Sequence, residues 1–108
     1  MISVIITRDK NSYRGVSISG HAGYADSGQD IVCAAVSVLV LNTFNSIEMF
    51  TQDEFESQVQ EDGGYITMNF PGVVSDNTKL LLDSMSLGLD EIQKQYGDEY
   101  ISLQYKEV

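Results

Sequence analysis

The chain has 108 residues, of which 43% are apolar, and this is enough to form the core of one domain spanning residues 1–108. Its 16 Asp and Glu residues against 6 Lys and Arg residues give a formal net charge of −10 at pH 7. Because this charge repels nucleic-acid phosphates and anionic lipid, we expect no direct nucleic-acid binding and no membrane partner. A basic protein would instead be attracted to the surface.

The chain carries a single cysteine, Cys33, which excludes an intramolecular disulfide. The N-terminus lacks the pattern of a secretory signal, and the longest apolar run, 31–41, is interrupted by Ser37 and too short to span a bilayer. These features are typical of a protein of the reducing cytoplasm, and they predict a cytoplasmic location.

The first half of the chain predicts a hairpin, a loop and a helix. Segments 2–8 and 13–19 are rich in β-branched or alternating apolar residues and are separated by turn residues, which predicts two paired strands. Residues 20–29 include three glycines and no apolar period, which is typical of a mobile loop with almost no apolar anchor. A helix from about Asp30 to about Phe50 is expected next, because the segment exceeds strand length and begins with capping residues.

The second half predicts the same order of hairpin and helix, followed by one more strand. Segments 55–61 and 65–70 alternate as strands do, and 101–105 has the same alternation. A helix from about 76 to about 96 is predicted by apolar residues at three- and four-residue steps, which should pack on a sheet: Leu81, Met85, Leu89, Ile92 and Tyr96. The order ββαββαβ predicts an α+β fold, a two-layer sandwich of a mixed or antiparallel sheet and two helices.

The block from Gly20 to Ser37 contains both the only histidine, His21, and the only cysteine, Cys33. A cysteine attacks as the thiolate, so a reactive one needs a helix N-terminus, an imidazolium or both. If Asp30 is the N-cap, Cys33 lies in the first turn, where the helix dipole lowers the pKa of a thiol. If Ser27 is the cap, Cys33 lies in the second turn and the dipole acts more weakly. The sequence leaves both registers open.

Residue type alone does not indicate an enzyme, since a cysteine in an apolar helix is usually a core residue. The block 20–37, however, resembles the signature of the ribosomal-processing cysteine protease (Prp) family, in which a GHA motif precedes the helix start DIVCAAVS. The resemblance implies His21 as general base and Cys33 as nucleophile, with Asp30 and Ser37 as supporting residues. It also implies that the protein removes a short N-terminal extension from a bacterial large-subunit ribosomal protein.

Several roles within this block stay open. Asp30 either caps the helix or orients His21 as the third member of a triad. Ser37 either bonds back to a main-chain carbonyl or serves the site. The N–H groups at the helix start around Cys33 are the candidate donors to an oxyanion, without being identifiable one by one.

Other chemistries fit the composition poorly. One histidine and one cysteine fall short of a zinc ligand set, and a thioredoxin-like function needs a second cysteine, so we expect no metal and no cofactor. The main alternative is a non-catalytic acidic module that binds a basic ribosomal protein, with Cys33 merely packed. A thiol alkylator separates the two, since a catalytic Cys33 should react quickly near neutral pH.

A homodimer is also predicted. The helix that starts near Ile31 is apolar around its circumference, and Leu80 and Leu87 lie off the main stripe of the second helix. Such surfaces are more easily explained by a two-fold interface than by a monomer, and the family resemblance points the same way.

Overall fold

The computed structural model describes residues 1–10, 12–26, 29–60 and 64–108. The order of elements within these residues confirms the predicted order ββαββαβ and the α+β class. The elements are β1 (Ile2–Asp9), β2 (Ser12–Ser19), α1 (Ile31–Phe50), β3 (Glu56–Gln60), β4 (Tyr65–Asn69), α2 (Asp76–Tyr96) and β5 (Ile101–Glu107).

The five strands form one mixed sheet in the order β3-β4-β2-β1-β5. β1 pairs antiparallel with β2 and parallel with β5, and β4 pairs antiparallel with β2 and with β3. The parallel pair requires a long crossover, which the rest of the chain supplies. Since β3 is the last strand on its side, its outer edge adjoins no further strand of the described chain.

Both helices pack on the same face of this sheet and share one core with it. The strands contribute mainly alternate residues to that core: Ile2, Val4, Ile6, Val16, Ile18, Met68 and Ile101. The helices contribute Val32, Val36, Val40, Phe44 and Ile47 from α1, and Leu82, Met85 and Leu89 from α2. Full burial of each such aliphatic side chain contributes about 1.5–3 kcal/mol.

The predicted stripe on α2 was partly wrong. Met85 and Leu89 are buried as expected, but the stripe omitted Leu82, which is fully buried, and included Leu81, which is only partly buried. The buried face is rotated because α2 packs against α1 as well as the sheet. At the contact between the helices, a Cβ on Gly88 would lie 2.7 Å from Cδ2 of Leu39.

The helix α1 is longer than the apolar run read from the sequence. It has 20 residues, and by length and composition alone it is sufficient to cross a membrane. One side of it, which includes Val36 and Phe44, is buried in the domain. The core helix of a globular domain has these same properties, so the length is weak evidence for a membrane span.

A hydrogen-bonded junction joins the end of α1 to the start of α2. Ser75, the N-cap of α2, donates its N–H and its hydroxyl to the Asp53 carboxylate over 2.9 and 2.7 Å, and Thr78 also donates to it. Burial alone would raise the pKa of Asp53, but the bonds from Thr78 and Ser75 outweigh burial and lower it. These bonds therefore favour the ionised form of the Asp53 carboxylate in the folded protein.

Candidate active site

Asp30 fixes the start of α1. Its Oδ1 accepts the N–H groups of Val32 and Cys33 over 3.0 Å each, and its Oδ2 accepts the N–H of Tyr24 over 3.0 Å. Asp30 is thus the N-cap of a helix that begins at Ile31, and Cys33 occupies the third helical position. The alternative cap, Ser27, lies outside the described residues, and α1 begins well after it.

The geometry of Asp30 is that of a cap rather than of a triad member. Burial opposes its ionised form, but the N–H groups of Cys33, Tyr24 and Ala25 outweigh burial and lower its pKa. Among the described residues, its side chain bonds main-chain N–H groups and the Cys33 side chain, and it makes no hydrogen bond to His21.

Ala22 and Tyr24 anchor the segment between β2 and α1. Ala22 is buried, at 3% exposure, and its N–H donates to Sγ of Cys33 over 3.1 Å. The Tyr24 ring packs edge-on against Tyr96 and Tyr100, with centroids 5.6 and 5.2 Å away. Periodicity could not reveal single anchoring residues of this kind. Of the glycines in this segment, Gly28 lies outside the described residues.

His21 and Cys33 line one cavity of ≈ 260 Å³. Cys33, Ser37 and Leu41 follow one another at four-residue steps and so present one face of α1 to it. The structure therefore brings His21, Cys33 and Ser37 together, while Asp30 stays outside the lining. The remaining lining is largely apolar: Ile2, Ile18, Gly20, Val36, Val59, Gln60, Gly64, Tyr65 and Ile66.

Two glycines with positive φ pack beside His21. They are Gly20, with φ +89°, and Gly64, with φ +59°. Gly20 follows Ser19 and Gly64 precedes Tyr65, and Ser19 and Tyr65 form the last β2–β4 pair. A Cβ on Gly64 would lie 3.0 Å from both Cε1 and Nε2 of His21. The imidazole therefore lies close to the main chain at Gly64.

Three N–H groups at the helix start are already in use. Those of Val32 and Cys33 donate to the Asp30 side chain, and that of Ala34 donates to the Asp30 carbonyl over 3.0 Å. These three groups are therefore not free to serve as oxyanion donors in this structure. The N–H of Ala22 is directed at Sγ of Cys33.

The electrostatics of Cys33 differ from the expectation. Burial raises the pKa of the thiol, the Ala22 N–H acts in the opposite direction, and the Asp30 carboxylate raises it further, so the net direction is upward. The cysteine does lie in the first turn, but the carboxylate that caps this turn is close to the sulfur. This upward direction disfavours the thiolate and so opposes the rapid alkylation expected from the sequence.

A thiol at a helix start and an imidazole line one cavity of an α+β sandwich, and this arrangement fits a cysteine protease. The family model of Cysteine protease Prp matches residues 1–102, and the chain belongs to this family.

Known relatives agree in sequence and in structure. The Ribosomal processing cysteine protease Prp of Staphylococcus aureus is 32% identical over 107 residues, which cover 98% of this chain and 100% of that protein. The protein of the same name from Bacillus subtilis is 33% identical over 85 residues, covering 75% of this chain and 76% of that one. The S. aureus Prp crystal structure with a covalently linked product peptide superposes with a TM-score of 0.91 at 32% identity, over 98% of this chain and 100% of that one. These findings confirm the family resemblance and favour the protease over the non-catalytic module.

Proposed function

We propose that this chain is a cysteine endopeptidase that removes the N-terminal extension of a bacterial large-subunit ribosomal protein, with Cys33 as nucleophile and His21 as general base. The observation that carries the proposal is that these two side chains line a single cavity. Support comes from the S. aureus relative of known structure, which was crystallised with a substrate peptide and superposes at a TM-score of 0.86 with 31% identity, over 98% of this chain and 100% of that one.

The reaction follows from the two roles. The imidazole of His21 takes the proton of the Cys33 thiol as the sulfur attacks the scissile carbonyl carbon. His21 then gives this proton to the leaving amine, the C–N bond breaks, and a thioester remains on Cys33. Water attacks the thioester, with His21 accepting its proton, and the released thiol is protonated again.

The thiol has to be activated in the course of the reaction. Because burial and the Asp30 carboxylate raise the pKa of Cys33, the thiolate is disfavoured in the free protein, and His21 is needed to take the proton as the sulfur attacks. The Ala22 N–H, 3.1 Å from Sγ, stabilises the charge that develops there.

Asp30 and Ser37 support this chemistry from α1. Asp30 sets the first turn and holds the Tyr24 main chain, so it positions both the nucleophile and the loop that carries His21. Ser37 lies one turn beyond Cys33 in the cavity lining, where its hydroxyl is placed to contact the bound peptide.

The lining also indicates how a peptide is recognised. Val59 of the edge strand β3 is 47% exposed although apolar, and with Leu41 and Ile66 it offers an apolar surface to a substrate side chain near the scissile bond. The net charge of −10 attracts the basic remainder of a ribosomal protein.

The proposal includes a homodimer in the cytoplasm. Leu80 and Leu87 on α2 are 68% and 66% exposed, and Val38 and Met49 on α1 are also exposed. A two-fold interface with a second copy would bury these apolar side chains on the outer surface of the helical layer.

The direct test is incubation of the purified chain with a precursor ribosomal protein that bears its extension, followed by mass spectrometry. We expect a single cut that releases the extension, and no cut with Cys33→Ser. Binding of the precursor without cleavage would support the non-catalytic acidic module instead.

A further inference from the structure

The imidazole of His21 lies beside Gly64, the residue that precedes β4. A Cβ placed on Gly64 would lie 3.0 Å from Cε1 and 3.0 Å from Nε2 of His21. These distances are shorter than ordinary van der Waals contact, so no side chain fits at position 64 while the imidazole stays where it is.

The surrounding main chain leaves little room for adjustment. The same Cβ on Gly64 would lie 2.6 Å from the carbonyl oxygen of Gly20, the residue that precedes His21. Gly20 is itself packed against the main chain of Met1, whose carbonyl oxygen would lie 2.4 Å from a Cβ on Gly20. Gly20 therefore cannot easily give way, whereas the exposed imidazole of His21 can.

We propose that Gly64 is a positioning residue for His21: its bare main chain is the surface against which the imidazole is held in the cavity shared with Cys33. This inference rests on the proposed roles of His21 and Cys33. Gly64 has a φ of +59°, which alone favours glycine. The proposal adds a second reason, because the side chain of any other residue would press on the imidazole even if that residue tolerated this φ.

The test compares variants that separate contact from backbone strain. Gly64→Ala introduces both. Gly97→Ala introduces strain alone, since Gly97 has φ +110° and a Cβ there would meet only Oε1 of Glu99, at 4.0 Å. Gly64→Asn keeps the contact but reduces the strain, because asparagine tolerates positive φ better than alanine does.

The expected result is a loss in kcat rather than in KM. Displacing a catalytic group by a fraction of an ångström to 1 Å costs up to about 100-fold, so we expect kcat to fall about 10- to 100-fold in both Gly64 variants, with KM within about threefold. Gly97→Ala should keep kcat within about twofold. Recovery of kcat in Gly64→Asn, or an equal kcat in Gly64→Ala and Gly97→Ala, would overturn the proposal.

A second readout does not depend on cleavage. The chain has one histidine and one cysteine, so the Cε1–H NMR resonance reports His21 alone and alkylation labels Cys33 alone. Alkylating Cys33 should shift this resonance in the wild type and in Gly97→Ala, and shift it less in both Gly64 variants. An unchanged response in those variants would contradict the positioning role.

This NMR measurement needs no cleavage, so it can be made even if the precursor is not a substrate. The positioning role and the proposed function can therefore fail separately. If Gly64→Ala does not fold, Gly64→Asn provides both readouts.

Discussion

The main-chain N–H of Ala22 donates a hydrogen bond to the sulfur of Cys33 over 3.1 Å. The residue that follows the proposed base therefore contacts the proposed nucleophile directly. This bond favours the thiolate, while burial and the Asp30 carboxylate disfavour it. A movement of the loop that breaks this bond would therefore raise the pKa of the thiol.

The roles of the two side chains predict the effect of removing either one. Cys33→Ala and His21→Ala should each lower cleavage of a precursor peptide by on the order of 10³-fold or more. Both variants should keep the thermal unfolding midpoint within a few degrees, because His21 is exposed and Cys33 is only partly buried. Substantial turnover in either variant, with folding checked by circular dichroism, would contradict the mechanism.

The charge of Asp30 should set the reactivity of Cys33 in the free protein. Asp30→Asn keeps an N-cap side chain but removes the negative charge that raises the pKa of the thiol. We therefore expect the alkylation rate near pH 7 to increase, and the rate profile to move to lower pH. Asp30→Ala is the control for lost capping, with an expected cost of about 1 kcal/mol in the free energy of unfolding. An unchanged alkylation profile in Asp30→Asn would show that the carboxylate does not act on the sulfur.

Acid should weaken the junction between the helices. The pKa of Asp53 is lower in the folded protein than in the unfolded chain, where it is about 3.9. Its contribution to stability is thus complete above that pH and is lost as the pH falls through the folded-state value. Between pH 7 and pH 3, the thermal unfolding midpoint of Asp53→Asn should fall less than that of the wild type. Asp26→Asn, an exposed carboxylate, serves as control and should lose stability as the wild type does.

The apolar lining of the cavity predicts an effect on substrate binding. Val59→Lys places a charge in the lining and repels a basic peptide, so KM should rise about tenfold with little change in stability, since the residue is 47% exposed. Val73→Lys is the matched control, because Val73 is 87% exposed and does not line the cavity. Equal KM values for the two variants would exclude Val59 from the binding surface.

The exposed leucines of α2 predict the state of association. Light scattering at micromolar concentration should give the mass of two chains for the wild type and of one chain for the double variant Leu80→Glu, Leu87→Glu. Both positions are exposed in the single chain, so the double variant should still fold. A monomeric mass for the wild type would refute the dimer.

Most of the fold could be predicted from local patterns. Alternation identified the strands, and α2 spans Asp76–Tyr96, as the spacing of its apolar residues predicted. The order of strands in the sheet and the parallel pairing of β1 with β5 could not be predicted, because both depend on contacts between distant segments. The misplaced stripe on α2, which omitted Leu82, has the same cause, since α1 covers part of that helix.

Only the part of the site that is identified by side-chain type could be predicted from the sequence. His21 and Cys33 are the only residues of their types, and their motif is specific. The contacts of Ala22 and Gly64 are made by the main chain, which carries no signature in residue type. The direction of the Cys33 pKa was missed because it depends on burial and on the distance to Asp30, neither of which spacing can give.

The pairing of β5 with β1 has a consequence for how the protein is made. β1 is synthesised first and β5 last, yet Ile2 lies beside Ile101 and both are buried. A chain leaves the ribosome from its N-terminus. β1 can therefore pair with β2 early, but it can pair with β5 only after synthesis has reached Glu107. Ile2 also lines the cavity that His21 and Cys33 share, so one wall of that cavity gains its neighbour in the sheet only after β5 has been made. We therefore expect the nascent chain to lack this support for the proposed site until β5 emerges.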